Sequence, residues 1–171
     1  MQIRRLCAAD AAAYREFRLR AFREHPEAFT SDYEEELHKS LAATAQRLHE
    51  AANVQFWGAF SDAPDNTLIG LVGLDRETRV KNRHKARVVG MYVAAEHARQ
   101  GIAQALLTAL ISAARASGIE LLVLTFTSIN SHVERLYRRA GFVPFGVEPG
   151  AVKVDNQAYD KTHMYLQLIP S

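Results

Sequence analysis

A chain of 171 residues with 48% apolar and 23% charged side chains can build one hydrophobic core without disulfides or metal, and one domain over residues 1–171 is expected. A net charge of +2, with Lys/Arg scattered among Asp/Glu, is too small a footprint for nucleic acid, and no apolar run approaches the roughly 18 residues of a membrane span. The lone Cys7 excludes an internal disulfide and suits a reducing compartment, and Met1-Gln2-Ile3-Arg4-Arg5-Leu6 lacks an apolar signal core, so a soluble cytoplasmic protein is expected.

Ile3 to Leu6 is a short strand candidate. Asp10 is placed to cap a helix with Tyr14, Phe17 and Ala21 on one side, which should stop near His25-Pro26 because proline disfavours helix in the preceding residue. Ser31-Asp32-Tyr33-Glu34 is a capping-box pattern, and the helix it opens should carry Leu37, Leu41, Ala45 and Leu48 as a single apolar stripe. Val54 to Phe60, a turn over residues 62–66, and Leu68 to Leu74 read as a hairpin. The polar segment from Asp75 to Lys85 is a connecting loop. After a central stretch described next, Val143-Pro144-Phe145 leads to a loop around Glu148-Pro149-Gly150. Val152 to Val154 and Met164 to Leu168 supply the last strands through the turn Asp155-Asn156-Gln157.

The stretch from Arg87 to Phe142 carries the chemistry. It reads as strand (Val88 to Val93), glycine turn (Glu96 to Ala103), helix to about Ala116, strand (Leu121 to Thr127) and a helix from Asn130-Ser131 to Gly141. The first helix shows a polar stripe at Gln104, Thr108, Ser112 and Arg115, an apolar face at Ile102, Leu106, Ala109, Leu110 and Ala113, and a stop at Gly118. Its start offers unpaired N–H groups and about half a positive charge, an anion site that Gly101 and Ala103 leave open and Arg99 reinforces. A strand-to-helix turn needing glycine for geometry alone would look the same. Ser131-His132-Val133-Glu134 is a second capping box, and Tyr137 two turns in would, alone, read as a core aromatic.

Met91-Tyr92-Val93 followed by Arg99-Gln100-Gly101-Ile102-Ala103-Gln104 resembles the acyl-CoA-binding signature of the GNAT superfamily of N-acetyltransferases, and Asn130 with Leu136-Tyr137-Arg138-Arg139-Ala140-Gly141-Phe142 resembles its second signature. Either motif is weak alone; the pair, in order and at the family's spacing, is specific. The resemblance implies an α/β fold of the α+β kind: a mixed, mostly antiparallel sheet splayed between strands 4 and 5, with helices on both faces. It implies acetyl-CoA as co-substrate, its pyrophosphate held by backbone N–H groups from Arg99 to Gln104. It further implies that the bulged fourth strand corresponds to Met91-Tyr92-Val93 and pairs with the pantetheine arm, an N–H of Tyr92 or Val93 facing the thioester oxygen. Asn130 would touch the cofactor where the strands part, and Tyr137 would donate to the departing thiolate.

Two positions depart from the family pattern. Ala98 stands where the signature has Gln or Arg, and the fourth strand has no carboxylate to act as general base. Asp75 is then the first candidate base, acting through water, and Glu148 the second. A weak base suits an α-amine, with pKa of roughly 7.7–8.0, better than a lysine-like amine at about 10.4. Phe29 and Tyr33 are candidate walls for the acceptor, though they can equally pack a helix junction, and Glu148 is a third candidate near the acceptor. The seven histidines form no ligand-spaced set, so no metal is expected. The expected activity is transfer of an acetyl group to a primary amine of an amino acid, small amine or peptide or protein N-terminus, by direct attack in a ternary complex. A non-catalytic acyl-CoA-binding module and a nucleotide-phosphate-binding regulator are the alternatives. Some relatives pair their last strands across a dimer, which leaves a homodimer open.

Overall fold

The computed structural model describes residues 1–62, 64 and 66–168. Seven strands form one sheet: β1 (Gln2–Arg5), β2 (Val54–Phe60), β3 (Leu68–Arg76), β4 (Lys85–Val93), β5 (Leu121–Thr127), β6 (Val143–Val154) and β7 (Gln157–Gln167). Among the described residues five α-helices accompany them: α1 (Ala11–Glu24), α2 (Tyr33–Leu37), α3 (Leu41–Arg47), α4 (Ile102–Ala116) and α5 (Ser131–Arg139). The strand order is β1-β2-β3-β4-β5-β7-β6, and every neighbouring pair is antiparallel except β4 with β5. A parallel pair needs a crossover, and α4 supplies it. This is the mixed, mostly antiparallel sheet expected from the sequence. Among the described residues no helix is long and apolar enough to cross a membrane.

Two cores lie on opposite faces of the sheet. One joins Leu106, Leu107 and Leu110 of α4 to Val72, Leu74, Leu122 and Leu124, and reaches Tyr137 and Phe142. The other joins Tyr14, Phe17 and Ala21 of α1 to Phe56, Leu71 and Tyr92. Side chains that alternate across a strand feed both layers at once, which is why β2 and β3 read as nearly continuous apolar runs. Close approach is built in: a Cβ on Gly70 would meet Ile102 at 2.8 Å, so α4 seats directly on β3.

Several local expectations give way to stronger partners. Asp10 does not cap α1: its carboxylate takes both Arg4 Nη1 and Nη2, at 2.8 and 2.7 Å, and the Cys7 N–H at 2.9 Å, while a short 3-10 turn over Ala8–Asp10 leads into the helix. The single helix expected to open at Ser31-Asp32-Tyr33-Glu34 and run on through Leu48 is two. Asp32, one residue later than a Ser31 cap, accepts from Glu34 N and Glu35 N; Ser40 then accepts from Ala43 N and starts α3 afresh. That break leaves Leu37 and Leu41 exposed while Leu48 stays buried. The expected loop at Glu148-Pro149-Gly150 lies inside β6, which absorbs it as a register shift between Glu148 and Val152. β3 runs on through Asp75 and Arg76, and β4 begins at Lys85, so the connecting loop is shorter than expected. Of the turn expected at 62–66, residues 63 and 65 lie outside the described residues. The β6–β7 turn falls at Asp155-Asn156, both with positive φ as tight hairpin turns require.

The Arg4–Asp10 pair ties β1 to the start of α1, and the Arg4 hydrogen bonds hold the Asp10 carboxyl at a pKa of about 2, below its ordinary 3.8. A depressed carboxyl contributes stability above its unfolded value and loses it as pH falls through the folded one. Asp10→Asn is expected to cost about 1–2 kcal/mol at neutral pH. Urea unfolding across an acid series should show that gap closing between pH 3.8 and about 2; a gap independent of pH would assign the loss to packing instead.

Candidate active site

β4 pairs with β5 through only three residue pairs, Lys85–Arg87 against Leu121–Val123. From Val88 onward the two strands run without mutual pairing, so the sheet opens like a wedge toward their C-terminal ends. Within the same strand, Tyr92 lies opposite Leu71 and Val89 opposite Gly73, so Gly90 and Met91 together face Val72. This is a bulge, and Gly90 carries the left-handed φ of +63° that it needs. A Cβ at Gly90 would also lie 2.9 Å from Arg18 Nη1. Past the bulge, the Ala94 N–H bonds the Ile69 carbonyl on β3 at 3.1 Å. Strand alternation therefore turns the Val93 N–H to the open side, toward β5.

The end of β4 is anchored by charge. The Tyr92 hydroxyl donates to Glu24 Oε2 at 2.5 Å, Arg20 Nε bonds the same carboxylate at 2.7 Å, and Arg20 also grips Glu96 with both terminal nitrogens. Burial, and then the Glu24 hydrogen bond, push the Tyr92 hydroxyl well above the usual phenol range. Tyr92 is thus a fixed, protonated donor, its hydroxyl committed to α1 and its backbone paired with Leu71 on β3.

The start of α4, where an anion site is expected, leaves backbone donors open. Ala105 makes the first bond onto the Gly101 carbonyl, at 3.0 Å, so the N–H groups of Ile102, Ala103 and Gln104 have no intrahelical acceptor. Arg99 and Gly101 both adopt left-handed φ, +62° and +77°, which turns the loop into the helix. Nothing lies within 4 Å of a Cβ on Gly101, so its φ, rather than crowding, calls for glycine there.

α5 borders the other side. Its cap is Asn130, not Ser131: Asn130 Oδ1 accepts from Val133 N at 3.2 Å, and Glu134 reaches forward to Arg138 instead of back. Tyr137 is buried between Phe126 and Phe142, with ring centroids 5.9 and 5.7 Å away. Burial alone pushes its hydroxyl well above the usual phenol range, so it stays protonated at any ordinary pH.

These elements enclose a groove of about 1120 Å³. It brings together Met91, Tyr92, Val93, Arg99, Gly101, Ile102, Ala103, Gln104, Asn130 and Tyr137, and it also includes Asp75 and Phe29. Three sequence-derived candidates lie outside it. Gln100 faces a separate depression beside Met1 and Ile69; Tyr33 is held by Arg23 at 2.6 Å; Glu148 is held by His163 at 3.0 Å. Asp75 lies opposite Arg87, near the start of β4, and bonds its Nη2 at 2.6 Å.

The groove also contains His25, where the first helix is expected to stop, and Arg18, Arg47 and Lys161, which the sequence did not single out. Arg18 carried a signal: it follows Tyr14 and precedes Phe22 at helical i+4 spacing, a charge on an apolar stripe. Lys161 Nζ donates to Thr30 Oγ1 at 2.9 Å, and burial lowers its pKa. It had no comparable signal, because strand alternation alone does not say which face of β7 is covered.

A sequence model of the Acetyltransferase (GNAT) family matches residues 14–142. No curated protein gives a significant match. Among solved structures, an acetyltransferase of the GNAT family from Streptococcus pneumoniae superimposes with a TM-score of 0.88 at 23% identity, over 98% of this chain and 99% of that one. The putative acetyltransferase yncA from Salmonella typhimurium, solved with its cofactor acetyl-CoA, gives 0.80 at 25% identity over 100% and 95%. A GNAT superfamily phosphinothricin acetyltransferase from Sinorhizobium meliloti, in complex with AcCoA, gives 0.83 at 19% identity over 98% and 88%. With the family match spanning most of the chain, and with the wedge between β4 and β5, the bulge and the open start of α4 in one groove, this protein belongs to the GNAT family of acetyltransferases.

Proposed function

We propose that this chain transfers an acetyl group from acetyl-CoA to a primary amine, by direct attack in a ternary complex. The observation that carries this is the continuity of one groove from the free N–H groups of α4, along the unpaired edge of β4, to Tyr137. The donor set fits the cofactor. Backbone N–H groups of Ile102, Ala103 and Gln104, with Arg99 beside them, suit a pyrophosphate, and the open edge of β4 suits an amide-bearing arm laid in like a strand. Acetyl-CoA supplies an activated thioester when bound.

The residues then divide the work. The Val93 N–H aims at the position where negative charge develops on the thioester oxygen. As the C–N bond forms and the C–S bond breaks, the sulfur departs as a thiolate, and the Tyr137 hydroxyl, kept protonated by burial, donates a hydrogen bond to it. The proton lost by the amine goes to a base. His25 lines the groove with its ring centroid 6.0 Å from that of Tyr92, near the bulge, whereas Asp75 sits at the far end of β4 and is engaged by Arg87. We place His25 ahead of Asp75 in that role, with water completing the path in either case. Asn130 serves the site through the cap that fixes the start of α5.

Two variants test this reading. Tyr137→Phe should lower kcat for amine-dependent thiol release roughly tenfold to a hundredfold, the range for losing one hydrogen bond to a charged group. Acetyl-CoA affinity by calorimetry should hardly change, and an unaltered kcat would remove Tyr137 from the mechanism. Ala103→Asp puts a carboxylate into the first turn of α4, where the helix dipole favours it, so thermal stability should hold or rise. The same charge beside a bound pyrophosphate should weaken acetyl-CoA binding more than roughly tenfold. Undiminished affinity would move the phosphates elsewhere.

A further inference from the structure

We propose that the acceptor amine carries a carboxylate next to its nitrogen, as an α-amino acid does, and that Arg18 binds it. This rests on the acetyltransferase reading and names the substrate class for the same groove. Arg18 is only 6% exposed, yet it lines the groove. Its Nε and Nη1 are buried without a hydrogen-bond partner. Its guanidinium lies over the rings of Phe22 and Phe29, at 4.4 and 5.5 Å from their centroids. Those faces hold the guanidinium plane in position and leave its N–H edge unused.

A buried cation with unused donors is costly to a folded chain, and replacing such a group by an apolar one is often neutral or stabilising. Glu36 attracts it only from a distance, and no nearby acid pairs with it. The buried Glu36 is engaged by Lys39 at 2.6 Å, Asp75 by Arg87, and Glu27 faces His25. Among the described residues no carboxylate comes within ion-pair distance of Arg18. Arg47, over the Phe56 ring, and Lys161 add positive charge to the same groove. An incoming carboxylate matches the planar fork of a guanidinium and satisfies two donors at once.

Position decides which carboxylate. Arg18 Nη1 lies against Gly90 in the bulge of β4, and the segment just beyond the bulge, Tyr92 and Val93, is where the thioester is placed. In an α-amino acid the nitrogen and the carboxyl carbon are two bonds apart, about 2.5 Å. A carboxylate on Arg18 therefore holds its own α-amine beside the bulge, within reach of the acetyl group.

The test sets α-amino acids beside their carboxamides as acceptors, with wild type and Arg18→Met. Methionine keeps the packing on Phe22 and Phe29 and removes the charge. Wild type should use acids at least roughly thirtyfold better than amides in kcat/KM. Arg18→Met should lose that preference mainly through KM, with unchanged acetyl-CoA affinity and a melting temperature equal to or above wild type. A second readout separates this inference from the activity it rests on: calorimetric titration of the same acids into protein saturated with CoA. Acids that bind wild type but not Arg18→Met, with no turnover of any amine, would uphold the carboxylate site and sink the acetyltransferase reading. Turnover or binding of amides equal to that of acids, or a preference for acids that survives in Arg18→Met, would overturn the carboxylate assignment.

Discussion

The site depends on a hydrogen-bond deficit. β4 and β5 are held together by three residue pairs and then part, leaving the inner backbone of β4 without the neighbour a central strand normally has. Unpaired backbone groups inside a fold are tolerated only where something else satisfies them. Here the opening is enforced from both sides: the bulge at Gly90–Met91 turns β4, while the Arg20–Glu24–Tyr92 network fixes its end to α1. The parallel crossover through α4 delivers a helix start to the mouth of the same opening. Strand edge and helix terminus thus border one groove, the edge with N–H and C=O groups and the helix start with N–H groups.

The two faces of the sheet divide the labour of the groove. The α4 and α5 side supplies backbone donors and the buried phenol of Tyr137. The α1 and α3 side supplies side-chain charge on a floor of aromatic rings. Glycine at position 90 joins them, since its φ makes the bulge and its missing Cβ lets Arg18 lie against the strand.

What was legible in the sequence follows from where the information resides. The strand, glycine turn and helix from Val88 to Ala116 were readable because periodicity and stop signals are local; Gly101 and Gly118 fall where left-handed φ is needed. The half of the groove at β4 and α4, which we assign to acetyl-CoA, was readable for the same reason, being built largely from consecutive backbone groups. The half we assign to the acceptor was readable only at Phe29. It is assembled from α1, α3 and β7, and no spacing rule links Arg18 to Lys161. Competing partners caused the remaining differences: Arg4 drew Asp10 away from its cap, Arg23 and His163 engaged Tyr33 and Glu148, and Ser40 restarted a helix that periodicity alone would have continued. Arg18 shows the limit most clearly, because its place on an apolar stripe was visible but its lack of a counter-ion exists only in three dimensions.

Amide hydrogen exchange, measured residue by residue with and without acetyl-CoA, tests most directly whether the wedge and the start of α4 form one cofactor site. Slowed exchange at Val93 and from Ile102 to Gln104, with the distal β6–β7 turn at Asp155-Asn156 unchanged, is the expected result. Slowing confined to one of the two segments, or to neither, would contradict it.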